Sequence, residues 1–187
     1  MNKRVWRSAL SLLLVFTLVF TSGLSAFAAT TENRADPAET AAVYLSDMEW
    51  VSAEDGWWQV RKDRDVNVHK IVLTDENGEE VPFEKGLGTS GNATIVYDLT
   101  GYGALRFQAQ IAIQSDNWWG GTSFTLKADG EEFFTQSLTS SRGITPVDVE
   151  IPEGTTILTM ENSGGSNSVW ANAQIICDRA VMDRLKT

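Results

Sequence analysis

The sequence predicts an all-β fold, a jelly-roll-like antiparallel β-sandwich, and three observations carry that prediction. From Val43 onward no apolar period of 3.6 residues is visible, whereas short runs that alternate apolar and polar residues recur. Turn residues punctuate these runs at spacings of ~8–12 residues, the rhythm of a two-sheet sandwich. Two dipeptides, Asn77-Gly78 and Asp129-Gly130, stand between apolar runs. Such pairs are hairpin signals because their residues tolerate positive φ at the turn.

The elements follow in chain order. Ile71-Val72-Leu73 and Val81-Pro82-Phe83 flank Asn77-Gly78 and form the first expected hairpin. Ile95, Tyr97 and Leu99 then alternate with Thr94, Val96 and Asp98. Phe107, Ala109, Ile111 and Ile113 alternate with Arg106, Gln108, Gln110 and Ala112, and this long run is expected to be a central strand. Phe124 and Leu126 lead through Asp129-Gly130 to Phe133-Phe134, and Val147, Val149 and Ile151 alternate with Asp148 and Glu150. Residues 155–160 and 169–177 close the domain. The expectation is about nine or ten strands whose apolar faces meet between two sheets.

Residues 1–28 read as a secretory signal peptide. Lys3, Arg4 and Arg7 make the positive region, residues 9–21 are apolar, and Ala26-Phe27-Ala28 gives a small-x-small cleavage pattern. The apolar run is shorter than the ~20 residues a membrane-spanning helix needs, so no stable membrane insertion is expected. Residues 29–42 read as a flexible leader, 43–177 as the sandwich and 178–187 as a C-terminal tail. The expected location is secreted, extracellular or cell-envelope associated, as in a bacterial exporter. Removing three positive charges and no acids takes the net charge from −10 to −13.

Composition excludes several classes of function. One Cys cannot make an internal disulfide framework or a cysteine-rich zinc site, and one His cannot make a multi-histidine metal centre. The acidic balance argues against a nucleic-acid binder, which neutralises phosphates with Lys and Arg. It also disfavours anionic polysaccharides and favours neutral glycans. No nucleophile elbow, P-loop, zincin motif or EF-hand loop is present. His69 lacks a nucleophile beside it and reads as a surface or packing residue. Cys177 reads as a buried hydrophobe. No pair among the 25 acids is marked out for glycosidase chemistry.

The seven Trp are the informative feature. Trp57-Trp58 follows Gly56, and Trp118-Trp119 sits between Asp116-Asn117 and Gly120-Gly121. Adjacent strand residues point to opposite faces, so at most one Trp of each pair is expected in the core. An indole left near polar loop groups is a platform for the apolar face of a sugar ring, with amides and carboxylates beside it for the hydroxyls. The segment Asn162–Ser168 is small and polar; it reads as a solvated turn, or as a source of oxygens for a ligand or a hard cation.

Several segments together resemble the NPCBM family, family 51 of the carbohydrate-binding modules. They are Tyr44-Leu45-Ser46-Asp47, Trp50-Val51-Ser52-Ala53, Gly56-Trp57, Lys85-Gly86-Leu87-Gly88, Ile95–Leu99, Arg106–Ile113, Ala128-Asp129-Gly130 and Trp170-Ala171-Asn172-Ala173. The resemblance spans about residues 43–176. It implies a jelly-roll sandwich that binds carbohydrate without catalysis, a companion of glycosidases, directed in some members to galactose-containing glycans. It also implies a bound calcium, and it places Trp50, Trp57 and Trp170 within the sandwich. The chain departs from the family pattern at Thr89-Ser90, at residues 115–119, at Asn167-Ser168-Val169 and at Asn172, where the family tends to carry His and acids.

The function expected from the sequence is therefore a secreted, non-catalytic carbohydrate-binding module. Trp58, Trp118 and Trp119 would stack on sugar, while Asp116, Asn117, Asn167 and Asn172 would bond hydroxyls. The alternatives are a protein-interaction or adhesion module on the same sandwich, anchored by exposed Trp, and a small glycan hydrolase using two acids.

Overall fold

A computed structural model describes residues 39–114 and 120–184. These residues form thirteen strands. The first five are β1 (Thr40–Tyr44), β2 (Ser52–Asp55), β3 (Arg61–Lys62), β4 (Ile71–Thr74) and β5 (Glu80–Phe83). The next four are β6 (Gly86–Thr89), β7 (Ala93–Asp98), β8 (Ala104–Ile113) and β9 (Thr122–Ala128). The last four are β10 (Glu131–Leu138), β11 (Thr145–Glu150), β12 (Ile157–Gly164) and β13 (Ser168–Asp178), followed by a short helix α1 (Arg179–Arg184).

Two antiparallel sheets face each other. One runs β11-β8-β13-β6-β3, with β1 added to β13 alongside β6; the other runs β10-β9-β12-β7-β2. β8 lies inside the first sheet, between β11 and β13, as its long alternating pattern predicts. The sheets bury their inward rows against each other: Ile95, Tyr97 and Leu99 from β7 and its end, Phe124 and Leu126 from β9, Phe107 and Ile111 from β8, and Trp170 and Ile175 from β13. Each such side chain contributes about 1.5–3 kcal/mol by leaving water. Trp170 sits at the centre, edge-on to Phe107 at 5.8 Å and to Phe124 at 5.0 Å. Its indole N–H donates to Asn162 Oδ1 at 2.7 Å, which ties the two sheets together through one polar contact.

β4 and β5 form a separate hairpin that covers the outer face of the first sheet. Ile71, Leu73 and Phe83 pack there on Ala112, Val169 and Ala171. β13 is therefore apolar on both sides, with Trp170 facing in and its neighbours Val169 and Ala171 facing the hairpin. Its hairpin turn differs in detail from the expected form. Gly78 alone takes positive φ (88°), and the loop closes by Gly78 N–H to Asp75 O (3.1 Å) and Asp75 N–H to Glu79 O (2.9 Å).

The second expected hairpin is present as β9–β10, with Asp129 at φ 49° and Gly130 at φ 92°. Asp129 also ties this turn to β12. Its carboxylate accepts the Thr156 hydroxyl (2.8 Å) and the Ile157 N–H (2.8 Å). The Thr156 hydroxyl, and then the Ile157 N–H, hold its pKa below the usual value. Asp98, bonded first by the Thr100 hydroxyl, and Asp75, bonded first by the Glu79 N–H, are lowered in the same sense. A depressed carboxylate pKa contributes stability that is present above the unfolded value, near 3.9, and is lost as the pH falls through the folded values. Thermal melts are expected to hold a constant Tm from about pH 5 to 7 and to fall steeply below about pH 4. Asp129→Asn is expected to lower Tm at pH 7 and to flatten that acid slope.

Two boundaries differ from those expected. The stretch read as a leader ends early, because Thr40–Ala42 already pair with β13, Thr40 lying opposite Asp178. The stretch read as a tail starts with the last residue of β13 and continues as α1. Asp178 Oδ1 receives the Ala180 N–H (2.8 Å), an N-terminal cap for that helix. The expected signal peptide, residues 1–28, lies outside the described residues.

Candidate functional site

The exposed Trp pair stands on a loop that begins where β2 ends. Asp55, the last residue of β2, accepts both the Trp57 N–H and the Trp58 N–H at 3.2 Å through Oδ1. This is the turn chemistry an Asp side chain offers to backbone N–H groups two and three residues on. The same carboxylate receives the Ser90 N–H on Oδ2 at 2.7 Å and the Ser90 hydroxyl on Oδ1. Gly56 N–H donates to Asn92 O at 2.6 Å. The Trp loop is thus fastened to the β6–β7 loop at several points, although both indoles face water, Trp57 at 60% and Trp58 at 65% exposure.

Beneath the pair, three glycines bring three loops into backbone contact. A Cβ on Gly91 would lie 2.4 Å from Gly164 O and 3.1–3.2 Å from the outer edge of the Trp57 ring. A Cβ on Gly164 would lie 2.3 Å from Gly121 O. Only residues without a side chain allow this approach. Gly91→Ala is expected to push Trp57 off its seat and to strain the loop against Gly164. The cost is about 1–3 kcal/mol by analogy with overpacked cores, read as a drop in Tm with a change in Trp fluorescence.

Beside the pair an open groove of about 270 Å³ runs onto the second sheet, lined among others by Glu54, Asp55, Asn92, Thr94, Glu161 and Ser163. Asn92 Oδ1 accepts the Gly164 N–H (3.1 Å), and Glu161 is paired with Lys127 at 2.8 Å. The lining offers carboxylates, amides and hydroxyls.

The residues expected to contact a ligand fall into four groups. Trp58 is exposed on the loop after β2, and the lining of the groove reaches that loop at Asp55 and Gly56. Asp116, Asn117, Trp118 and Trp119 lie outside the described residues. Asn167 is at the same end of the sandwich but only 6% exposed, so its side chain is not presented to solvent, and its backbone carbonyl accepts the Gln114 N–H at 2.9 Å. Asn172 is elsewhere, at an irregularity in β13 where it takes φ 49° and donates its N–H to Lys85 O at 3.0 Å. The structure does not bring it together with Trp58.

Two further readings are corrected. Trp57, expected within the sandwich, is on the surface: the pair occupies a loop, so the rule that neighbouring strand residues face opposite ways does not apply to it. The polar run Asn162–Ser168 is not a solvated turn. Asn162, Ser166, Asn167 and Ser168 are all buried, and Thr89, Ser168 and Asn162 form an interior network at 3.0–3.2 Å beside Trp170. Ser166 donates its hydroxyl to Gly120 O at 2.7 Å. Asp55, Gly91 and Asn92 were not expected as site residues. A sequence signal for Asp55 existed in the order Asp-Gly-Trp-Trp, an Asx-turn pattern.

Other candidates carry little chemistry. His69 is exposed and faces Asp65 at 3.4 Å. Cys177 is fully buried, and burial pushes its thiol up to about 11, far from a reactive thiolate. For calcium, no group of three or more His, Cys, Asp or Glu converges among the described residues. Asp47 and Asp63 approach each other, but the Lys85 ammonium lies between them, bonded to Asp47 and at 3.1 Å from Asp63. The described residues do not make a carboxylate cage for the cation.

Known proteins share this architecture. The NPCBM/NEW2 domain family matches residues 41–176. CBM51 from Clostridium perfringens GH95, solved in complex with methyl-galactose, superposes with a TM-score of 0.65 at 28% identity, covering 72% of this chain and 99% of that one. The tandem CBM51 modules of a family 98 glycoside hydrolase from Streptococcus pneumoniae give 0.67 at 27% identity, over 73% of this chain and 47% of that one. A blood-group-substance endo-1,4-beta-galactosidase of Clostridium perfringens is 26% identical over 94% of this chain, which spans only 24% of the enzyme's length. The match of the family over most of the chain, together with the shared sandwich, shows that this protein belongs to the NPCBM/NEW2 domain family.

Proposed function

We propose that the chain is a secreted, non-catalytic module that binds neutral glycans by stacking a sugar ring on Trp57 or Trp58 and bonding its hydroxyls from the groove beside them. The observation that carries this reading is the exposed Trp pair, fastened by Asp55 next to a polar groove. A flat apolar surface with acceptors alongside matches the two sides of a pyranose ring. Fastening the loop beforehand reduces the ordering cost that binding must meet. The net charge of −10 and the acids in the groove repel anionic chains.

Exposed indoles also anchor protein interfaces. Glu54, Asn92, Thr94, Glu161 and Ser163 give the groove hydrogen-bonding side chains suited to sugar hydroxyls, which favours sugar over protein. The relative bound to methyl-galactose makes galactosides the first probes. The test is a glycan array followed by calorimetry on the best ligands. A neutral glycan bound by the protein and lost in Trp58→Ala supports the proposal. Capture of a partner that survives complete deglycosylation, with no glycan bound, would replace it with the interaction-module reading.

A further inference from the structure

We propose that Ser90, a buried residue out of a ligand's reach, positions the Trp pair and thereby sets how tightly the module holds a glycan. The claim about affinity rests on the glycan-binding reading above; the claim about position stands apart from it.

The Trp loop has little support from its own strand. β2 lies at the edge of its sheet, paired only with β7, and its ladder ends with Asp55 opposite Ala93. Beyond Gly56 the N–H groups of Trp57 and Trp58 go to the Asp55 side chain. The course of the loop therefore follows the orientation of one carboxylate. A half-buried Asp side chain can turn about two single bonds, and Ser90 removes that freedom. Its N–H donates to Oδ2 at 2.7 Å and its hydroxyl donates to Oδ1, one bond to each oxygen. Bonds to a carboxylate are stronger than those between neutral groups.

Ser90 is itself fixed from the interior. It is 0% exposed, so its hydroxyl serves Asp55 and not a ligand. The residue before it, Thr89, has its hydroxyl 3.0–3.2 Å from Ser168 Oγ, Ser168 O and Asn162 Oδ1, and that last atom also takes the Trp170 N–H. The residue after it, Gly91, lies under the ring edge of Trp57, and Asn92 O then accepts the Gly56 N–H at 2.6 Å. A path of bonds thus runs from Trp170 in the core to the exposed indoles, and Ser90 is its link to the Asp55 carboxylate. A loop set in place beforehand loses less freedom when a ligand arrives.

The test is fluorine NMR on protein carrying fluorotryptophan, with signals assigned by Trp57→Phe, Trp58→Phe and Trp170→Phe, beside calorimetry with methyl-galactose and the best neutral glycan of the array. Ser90→Ala is expected to shift or broaden the Trp57 and Trp58 signals and to leave the Trp170 signal in place. It is expected to weaken the glycan by about three- to tenfold, the cost of ordering a freed loop side chain on binding. Asp55→Asn is expected to move the same two signals, because it turns one acceptor into a donor facing the Ser90 N–H. The two substitutions together should cost less than their sum, since Ser90 acts through that carboxylate. Unchanged Trp57 and Trp58 signals in Ser90→Ala, a Trp170 signal that moves with them, or losses that add in full overturn the proposal. Loop signals that move while glycan affinity holds overturn it too, and leave the glycan reading standing. A parent that binds no glycan overturns that reading and the affinity claim, while the signals still decide whether Ser90 positions the pair.

Discussion

The double variant Trp57→Ala, Trp58→Ala is expected to lose measurable glycan binding while melting within about 2 °C of the parent. Aromatic residues at the centre of a binding site typically cost about 2 kcal/mol or more on truncation, a ~30-fold loss for one of them. Exposed side chains away from the core rarely move stability by more than ~0.5 kcal/mol, and 1 kcal/mol shifts Tm by roughly 2–4 °C for a chain of this size. The two readouts therefore separate. The single variants tell which indole carries the sugar. Trp57 has its ring edge against Gly91, whereas Trp58 is the more exposed of the two. Calorimetry with the best array ligand decides it. A double variant that binds as well as the parent would mean that the pair is not the platform, whatever the rest of the fold does.

The second large effect concerns Trp170. Trp170→Ala is expected to destabilise the sandwich by about 3–5 kcal/mol, which is a large share of the 5–15 kcal/mol that holds an ordinary domain together. Two losses combine. The edge-on contacts to Phe107 and Phe124 disappear and leave a cavity at the middle of the core. The indole N–H also ceases to reach Asn162 Oδ1, which then depends on the Thr89 hydroxyl at 3.2 Å. Trp170→Phe isolates the second loss. It keeps most of the apolar volume and removes the donor, and since the Thr89 hydroxyl still reaches Asn162 Oδ1 the expected cost is that of one hydrogen bond, about 0.5–1.5 kcal/mol. Urea titrations of the parent and both variants, followed by circular dichroism, should rank them parent, Phe, Ala. Trp170→Phe as stable as the parent would show that the inter-sheet contact contributes nothing net.

The parts of the fold that alternate with period two were legible in the sequence. Ile95, Tyr97 and Leu99 all point inward, as do Phe107, Ala109 and Ile111, because a half-buried strand must repeat every second residue. Asp129-Gly130 marked its hairpin for the same reason of local chemistry. What stayed hidden were strands without an alternating pattern. β6 reads Gly-Leu-Gly-Thr and is buried throughout. At Gly88 a Cβ would meet Arg64 O at 2.4 Å, so the strand is defined by close backbone approach rather than by side chains. β3 has two residues, too few for any pattern.

The site was half legible. The Trp pair announced itself by composition, but its setting depended on Ser90, Gly91, Asn92 and Gly164, which only the folded chain brings beside it. The buried network of Thr89, Asn162 and Ser168 shows the converse error. Polar residues between strands look solvated in sequence, yet here they bond one another around Trp170 inside the sandwich, with Asn162 Nδ2 left without a partner.

The pairing of β1 with the far half of β13 has a mechanical consequence. Thr40 and Asp178 are direct neighbours, so the folded unit is held by a handle of two adjacent strands. Ser168, at the other end of β13, belongs to the end where Gly91, Gly164 and the Trp loop meet, ~30 Å away along the strand. The Trp loop thus lies at the end of the sandwich away from this pairing, and a load drawn through Thr40 and Asp178 opens the β1–β13 ladder one bond at a time before it reaches the core.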